Sequence, residues 1–338
     1  MTPNDAPFLR VENITKTDAN GSVLNPISFE QQQFKKIAIA GETGSGKSTL
    51  LKIIGGLIQP DSGKVFFEGS RVLGPMEQLI PGHKGIVYLS QHFELPKNLT
   101  VEQILIYANP LWDDEAAKDP FAHELYETCK ITHLLARRTK ELSGGEKQRV
   151  ALTKLLITKP KILLLDEPFS NLDFIHKNIL KAVIKAISEK LAISCVLISH
   201  DPIDTLSWAD EIYVLKNGNI IQHGNPLTIY HHPINSYVAG LFGKFYEISH
   251  DLALQLGVHV SKNKPQPIFI RPEYFKLYQH LQHEPAKPVV KARVLQHVFC
   301  GSYFETEILI GQQSFIAKTD SSLKLNIGDE IFVLLVIS

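Results

Sequence analysis

The sequence predicts an α/β fold built on a parallel sheet with a phosphate-binding loop at its edge, followed by a small all-β domain. Three observations predict it. Gly41-Glu42-Thr43-Gly44-Ser45-Gly46-Lys47-Ser48-Thr49 fits G-x-x-x-x-G-K-[ST] without a gap, between the apolar run Phe34–Ala40 and a stretch from Ser48 to Leu57 with apolar residues at helical spacing. Ile162-Leu163-Leu164-Leu165-Asp166-Glu167-Pro168 is a wholly apolar strand, of the kind buried inside a parallel sheet, that ends in two carboxylates. From Pro267 onward the chain changes to short strand-like segments, among them PIFIRPE, VVKARVLQHV, FETEILIG, QSFIAKT and EIFVLLVI, which is the pattern of a small barrel or sandwich.

Strand, glycine loop and helix, in that order, make a site for the phosphates of a nucleotide. The glycines let backbone N–H groups converge on the β-phosphate, and the helix N-terminus adds its partial positive charge. Lys47 reaches the β and γ oxygens and the Ser48 hydroxyl ligates Mg²⁺. Asp166, at the carboxyl edge of its strand where open parallel sheets bind ligands, joins the Mg²⁺ shell; Glu167 orients or deprotonates the attacking water. A third motif, Leu142-Ser143-Gly144-Gly145-Glu146-Lys147-Gln148-Arg149, opens a second helix whose N-terminus suits an anion. Ser143 and Glu146 have the spacing of a capping box. Capping alone gives no reason for two glycines in the first turn, where they weaken a helix.

Composition narrows the function classes. At 338 residues there is room for two domains, and 44% hydrophobic with 21% charged residues describes an ordinary globular protein. Lys plus Arg and Asp plus Glu are both 35, so no global positive field favours nucleic acid, and membrane association is expected through a protein partner. The longest apolar runs, ILLL and FVLLVI, are strand-length, so no direct membrane insertion is expected. Met1 begins a polar segment with no visible signal peptide. Cys129, Cys195 and Cys300 are widely spaced and read as small buried hydrophobes in a reducing cytosol.

Along the chain, Phe8–Ile14 and Val23–Phe29 read as strands joined by a turn at Asn20-Gly21, and Phe34–Ala40 as the strand feeding the phosphate loop. Gly63–Glu68 and Gly85–Ser90 are further strands. Helices are expected at Val101–Tyr107, Glu124–Leu135 and from Gly145 to about Ile157, then a strand at Lys161–Leu165, a long helix from about Asn171 to Leu191 and a buried strand at Ile193–Ser199. Asn217-Gly218 turns a hairpin between Glu211–Leu215 and Asn219–Gln222. The expected organisation is a nucleotide-binding domain over 1–235 with a helical subdomain at about 92–158, a linker over 236–265, and the β domain over 266–338.

Carrying these motifs in this order, the chain resembles the ATP-binding-cassette (ABC) ATPases. GETGSGKST matches their phosphate loop, LSGGEKQR their signature motif and ILLLDEP their acidic strand; Gln91 matches the glutamine loop, Ser170-Asn171-Leu172-Asp173 the loop after the acidic strand, and His200 the switch histidine. The resemblance implies ATP with Mg²⁺ between two cassettes packed head to tail. Gly41 through Thr49 of one copy would hold the nucleotide, and Ser143, Gly144 and Gly145, with Asp173, would complete the pocket from the other. A second copy of the chain is thus the expected partner, since one chain carries only one of each half-site. Gln91 would sense the γ-phosphate, stand with Ser48 and Asp166 around Mg²⁺, and relay to integral-membrane permease subunits. His200 would position the water that Glu167 activates.

The tail resembles the small OB-like accessory barrel of importer ATPases, on Ile270-Arg271-Pro272-Glu273, Ala292-Arg293-Val294 with Gly301, and Leu325-Asn326-Ile327-Gly328-Asp329-Glu330. Arg271 and Glu273 read as a strand-end ion pair. The function implied is the cytoplasmic motor subunit of a solute importer, held at the inner face of the membrane by permease subunits; a soluble non-transport ATPase and an export ATPase are the rivals. There is one departure. Family members place an aromatic residue near Thr17 or Asp18 to stack on adenine, and neither can stack, so either another aromatic such as Phe8 substitutes or the base is held loosely.

Overall fold

The computed structural model describes residues 7–19, 21–91, 95–111, 113–170, 172–258, 267–281 and 288–336. The chain divides after Pro226 into two compact units. In the first, β1 (Leu9–Asp18) and β2 (Gly21–Gln31) precede β3 (Lys36–Ala40), which runs into α1 (Lys47–Ile54). Next come β4 (Ser62–Phe67), β5 (Ser70–Arg71), β6 (Ile86–Leu89), α2 (Val101–Ala108), α3 (Asp113–Ala117), α4 (Pro120–Thr128) and α5 (Gly144–Leu156). β7 (Ile162–Asp166), α6 (Phe174–Lys190), β8 (Ser194–Ile198), α7 (Pro202–Leu206), β9 (Glu211–Lys216) and β10 (Asn219–Gly224) complete it.

The central sheet has six strands in the order β10-β9-β3-β8-β7-β6, parallel from β9 to β6 with β10 as an antiparallel edge. β7 and β8 are buried at every residue, which is why both read as apolar runs, broken only by Asp166 at the end of β7 and Ser194 at the start of β8. Alternate residues serve opposite faces. Leu164, Val196 and Ile198 join Ile37, Ile39 and Leu50 and Leu51 of α1 in one core, which extends to the antiparallel sheet β2-β1-β4-β5. Leu163, Leu165, Cys195 and Leu197 join the other, with residues of α2, α4, α5 and α6. Thus the phosphate loop, α1 and the carboxyl ends of β6, β7 and β8 share one edge.

Local differences from the sequence expectations have local causes. The helix expected at 124–135 starts earlier, at Pro120, where Asp119 accepts the Phe121 N–H at 3.1 Å and proline occupies the first turn. It also stops earlier: Lys130 takes a left-handed conformation at φ 55°, and a 3₁₀ turn follows at Thr132–Leu134. Asn20, at the tip of the expected first turn, lies outside the described residues.

The second unit contains α8 (Pro226–His231), α9 (Ser236–Leu241), β11 (Tyr246–Ile248), α10 (His250–Gln255), β12 (Ile268–Ile270), β13 (Phe275–Tyr278), β14 (Val289–Phe299), β15 (Tyr303–Ile310), β16 (Gln313–Asp320) and β17 (Glu330–Leu335). Five strands form an antiparallel sheet ordered β13-β17-β14-β15-β16. Its two edges curl toward one another, with Phe275 of β13 and Phe315 of β16 at 5.4 Å between ring centroids and Tyr246 against both. The stretch 236–265, expected as a linker, supplies Ile248, Ala253 and Leu256 to this unit's core.

Arg271 does not pair with Glu273 as expected. It is buried, and its guanidinium donates to the carbonyls of Ala239 at 2.8 Å, Gly243 at 3.1 Å and Tyr230 at 3.2 Å while lying over the Tyr230 ring. Glu273 instead accepts from the Tyr230 hydroxyl. Cysteine burial also splits: Cys129 and Cys195 are buried, their thiols pushed up to about 11 and about 12 by desolvation, whereas Cys300 is exposed.

Candidate functional site

β3 ends in a loop whose glycines are required by space. At Gly41 a Cβ would stand 2.3 Å from the Leu215 carbonyl oxygen, and at Gly46, with φ 99°, it would stand 2.6 Å from the Val23 carbonyl oxygen. Only glycine fits either position, so the loop closes tightly over the N-terminus of α1. Glu42, Thr43 and Gly44 form its exposed crest, Ser45 is buried beneath it, and Thr49 is half-buried in the first turn of α1. The buried Lys47 ammonium donates to the carbonyls of Gly41 at 2.8 Å and Glu42 at 2.7 Å. Burial lowers the Lys47 pKa; Glu167, Asp166 and Glu42 pull it partly back.

Ser48 opens the site to the sheet. Its hydroxyl donates to Asp166 Oδ1 at 2.9 Å, and the Tyr88 hydroxyl donates to Asp166 Oδ2 at 2.6 Å. Burial, and then the bond to Asp166, raise the Tyr88 pKa well above the ordinary phenol value. A hydroxyl and a carboxylate side by side are hard oxygen donors of the kind Mg²⁺ takes from protein, leaving its other positions to water and phosphate. The residues present therefore fit that cation.

Glu167, next in the chain, takes a left-handed conformation at φ 47°, which is uncommon outside glycine, and its N–H donates to the Ile198 carbonyl at 3.0 Å. Its carboxylate Oε2 lies 3.2 Å from Nδ1 of His200, which follows β8. A carboxylate accepts, so Nδ1 carries the proton in this pairing; in the neutral ring Nε2 is then the acceptor. Gln91 stands two residues beyond β6 and is half-buried. The structure thus brings together Lys47, Ser48 and Asp166 in one group and Glu167 and His200 in another, all along the same sheet edge.

Ser143 caps α5: its hydroxyl accepts the Glu146 N–H at 3.3 Å, and its own N–H donates to Glu146 Oε2 at 2.7 Å. Gly145 is buried, and a Cβ there would meet the His176 ring at 2.7 Å; at Gly144 a Cβ would meet nothing within 4 Å. Asp173 caps α6, accepting the His176 N–H at 2.9 Å and facing the same ring's Nδ1 at 2.6 Å, and these contacts hold its carboxyl below the usual range. His176 therefore links Asp173 to the start of α5. Sequence reasoning missed Tyr88 and His176.

Phe8 is not a free ring. It is 7% exposed and packs edge-on against Phe67 at 5.1 Å. Thr17 gives both its N–H and its hydroxyl to Asp61 Oδ2, at 2.7 and 2.6 Å, while Lys16 donates to Oδ1 at 2.7 Å; these bonds hold the Asp61 carboxyl at about 2.

The sequence pattern of the family described as ABC transporter matches residues 24–170. The sulfate/thiosulfate import ATP-binding protein CysA of Mesostigma viride is 30% identical over 95% of this chain and 91% of its own length. The glucose import ATP-binding protein GlcV of Saccharolobus solfataricus is 30% identical over 96% of this chain and 95% of its own. Among solved structures, the dimeric post-hydrolysis ATP-binding cassette MJ0796 bound to ADP and Pi superposes with a TM-score of 0.56 at 26% identity, over 64% of this chain and 98% of that one. With both its units spanned by such relatives, and with the phosphate loop and the acidic strand at one sheet edge, the chain belongs to the ABC transporter family as one of its ATP-binding, ATP-hydrolysing subunits.

Proposed function

We propose that this chain is the motor subunit of a solute importer, two copies of which close head to tail on ATP and drive integral-membrane permease subunits from the cytoplasmic face. The observation that carries this reading is the pairing of Glu167 with His200, 3.2 Å apart, beside the Ser48–Asp166 contact at 2.9 Å. It supports reading Glu167 and His200 as an acid/base pair beside a cation site at the mouth of the phosphate loop. Import is supported by relatives that are import ATP-binding proteins over nearly the whole chain, β domain included. Among the described residues no helix is long and apolar enough to cross a membrane, so movement of solute falls to other subunits.

The geometry supports the following roles. Phosphate oxygens replace the Gly41 and Glu42 carbonyls as acceptors for Lys47, and a charged lysine with a desolvated ammonium gains more from an anion than one in water. Ser48 and Asp166, with Gln91 from the loop beyond β6, would hold Mg²⁺, which would supply charge neutralisation at the phosphate. Glu167 accepts the proton of the attacking water, and His200, fixed through Nδ1, presents Nε2 to water or to a protonated γ-phosphate oxygen. Ser143, Gly144 and Gly145 approach the γ-phosphate of the other copy, with Asp173 beside them.

One experiment tests the reading. Tagged Glu167→Gln, purified in ATP from detergent-solubilised cells, is expected to carry two copies of the chain with multi-span membrane proteins, and its turnover should fall by about 100-fold or more with the base removed. A monomer at saturating ATP, or ribosomes or DNA in place of membrane proteins, overturns it.

A further inference from the structure

Asp166 offers two oxygens, and the structure assigns each a different partner. Oδ1 takes the Ser48 hydroxyl at 2.9 Å and Oδ2 takes the Tyr88 hydroxyl at 2.6 Å. Strand pairing sets the second contact. Tyr88 of β6 stands opposite Leu164 of β7 in parallel register, so Tyr88, Leu164 and Asp166, two residues on, face the same side of the sheet. That side is the one on which α1 packs, with the Tyr88 ring against the core formed by Leu50, Leu51 and Leu164. Asp166 itself is only 5% exposed, so a water molecule has little room to take the place of the phenol.

We propose that Tyr88 is a positioning residue for the divalent cation: by occupying Oδ2 it fixes the Asp166 carboxylate so that Oδ1 always faces Ser48. Without it, Asp166 is free to rotate about its Cβ–Cγ bond or turn away, and the two cation-holding oxygens are no longer pre-organised. Partners that orient a ligating carboxylate commonly affect metal affinity by about 10-fold or more. The inference rests on the proposed reading of Ser48 and Asp166 as the Mg²⁺ site. It adds a residue that makes no contact of its own with the cation, and it ties the strand leading to Gln91 to the strand that ends in Asp166.

The test uses the full chain and a fluorescent ADP analogue. Nucleotide affinity is measured in EDTA and then across a Mg²⁺ titration, for the wild type, Tyr88→Phe and Asp166→Asn. Phenylalanine keeps the ring packing and removes only the donor. Tyr88→Phe is expected to keep the metal-free affinity and melting temperature of the wild type while raising the Mg²⁺ concentration for half-maximal tightening by about 10-fold. Asp166→Asn is expected to raise it at least as far. If Asp166→Asn is shifted and Tyr88→Phe is not, the role of Tyr88 is overturned and the cation site stands. If Tyr88→Phe loses metal-free affinity as much as Mg²⁺-dependent affinity, the phenol is a packing group and the inference also fails. If Asp166→Asn titrates like the wild type, the cation site itself is wrong, whatever Tyr88 does.

Discussion

Phe8 is the ring that could have stacked on a base, and its burial against Phe67 rules it out. Thr17 offers no replacement, because both its donors are committed to Asp61, which Lys16 also holds. A stacked aromatic contributes about 1–3 kcal/mol per base. With neither Phe8 nor Thr17 able to supply that contact, ATP and GTP are expected to be turned over with kcat/KM values within about 10-fold of each other, since the purines then differ only in weaker edge contacts. Parallel steady-state assays on the purified protein at matched Mg²⁺ check this, and a preference of several hundredfold for ATP would refute it. At this scale the sequence was readable wherever chemistry dictates spacing: Lys47, Ser48, Asp166 and Glu167 stand in motifs whose physics is local. Tyr88 was not readable, because a tyrosine in an apolar strand looks like core until the register of β6 on β7 shows which carboxylate its hydroxyl meets.

At the scale of elements, the start of α5 separates two glycines that the sequence presents as a pair. Gly145 is accounted for by packing, since its missing side chain makes room for the His176 ring. Gly144 borders open space and has no steric reason to lack a side chain within this chain. Gly144→Ala should therefore raise the stability of the isolated protein by up to about 1 kcal/mol through helix propensity, yet abolish most ATP turnover if a γ-phosphate from a second copy approaches that edge. Gly145→Ala should instead cost about 1–3 kcal/mol of stability by overpacking against His176. Thermal melts and turnover assays on the two variants distinguish them; a Gly144→Ala protein with full activity would leave the open edge without a function. β7 and β8 were legible for a plain reason: they are buried on both faces, so residues 162–165 and 195–198 are uninterrupted apolar runs. The short helices α9 and α10, of six residues each, span under two turns and show too little periodicity to reveal a packed face, so the sequence presents the segment they occupy as a linker.

For the whole molecule, the division after Pro226 gives the chain two sets of cores with different titrating groups inside them. In the second unit, His231 stacks on Tyr274 at 5.9 Å and shares a hydrogen bond with its hydroxyl, beside Tyr230 and the buried Arg271. Burial lowers the His231 pKa below its ordinary 6.5, the nearby His232 and Arg271 lower it further, and Glu273 only partly opposes them. Between that lowered value and 6.5 the unfolded chain binds more protons at this residue than the folded one does. Stability then rises with pH across the window, so acidification from neutral toward and below 6.5 removes stability contributed by neutral His231. His231→Phe keeps a ring against Tyr274 and removes the titration, and should flatten the decline in melting temperature of this unit below pH 6.5 while giving up the Tyr274 hydrogen bond at every pH. Calorimetric melts of the full chain, in which the variant and wild type differ only at His231, compared at pH 7.5 and at successive steps below it, provide the measurement. Parallel declines in variant and wild type would show that the acid sensitivity of the domain originates elsewhere.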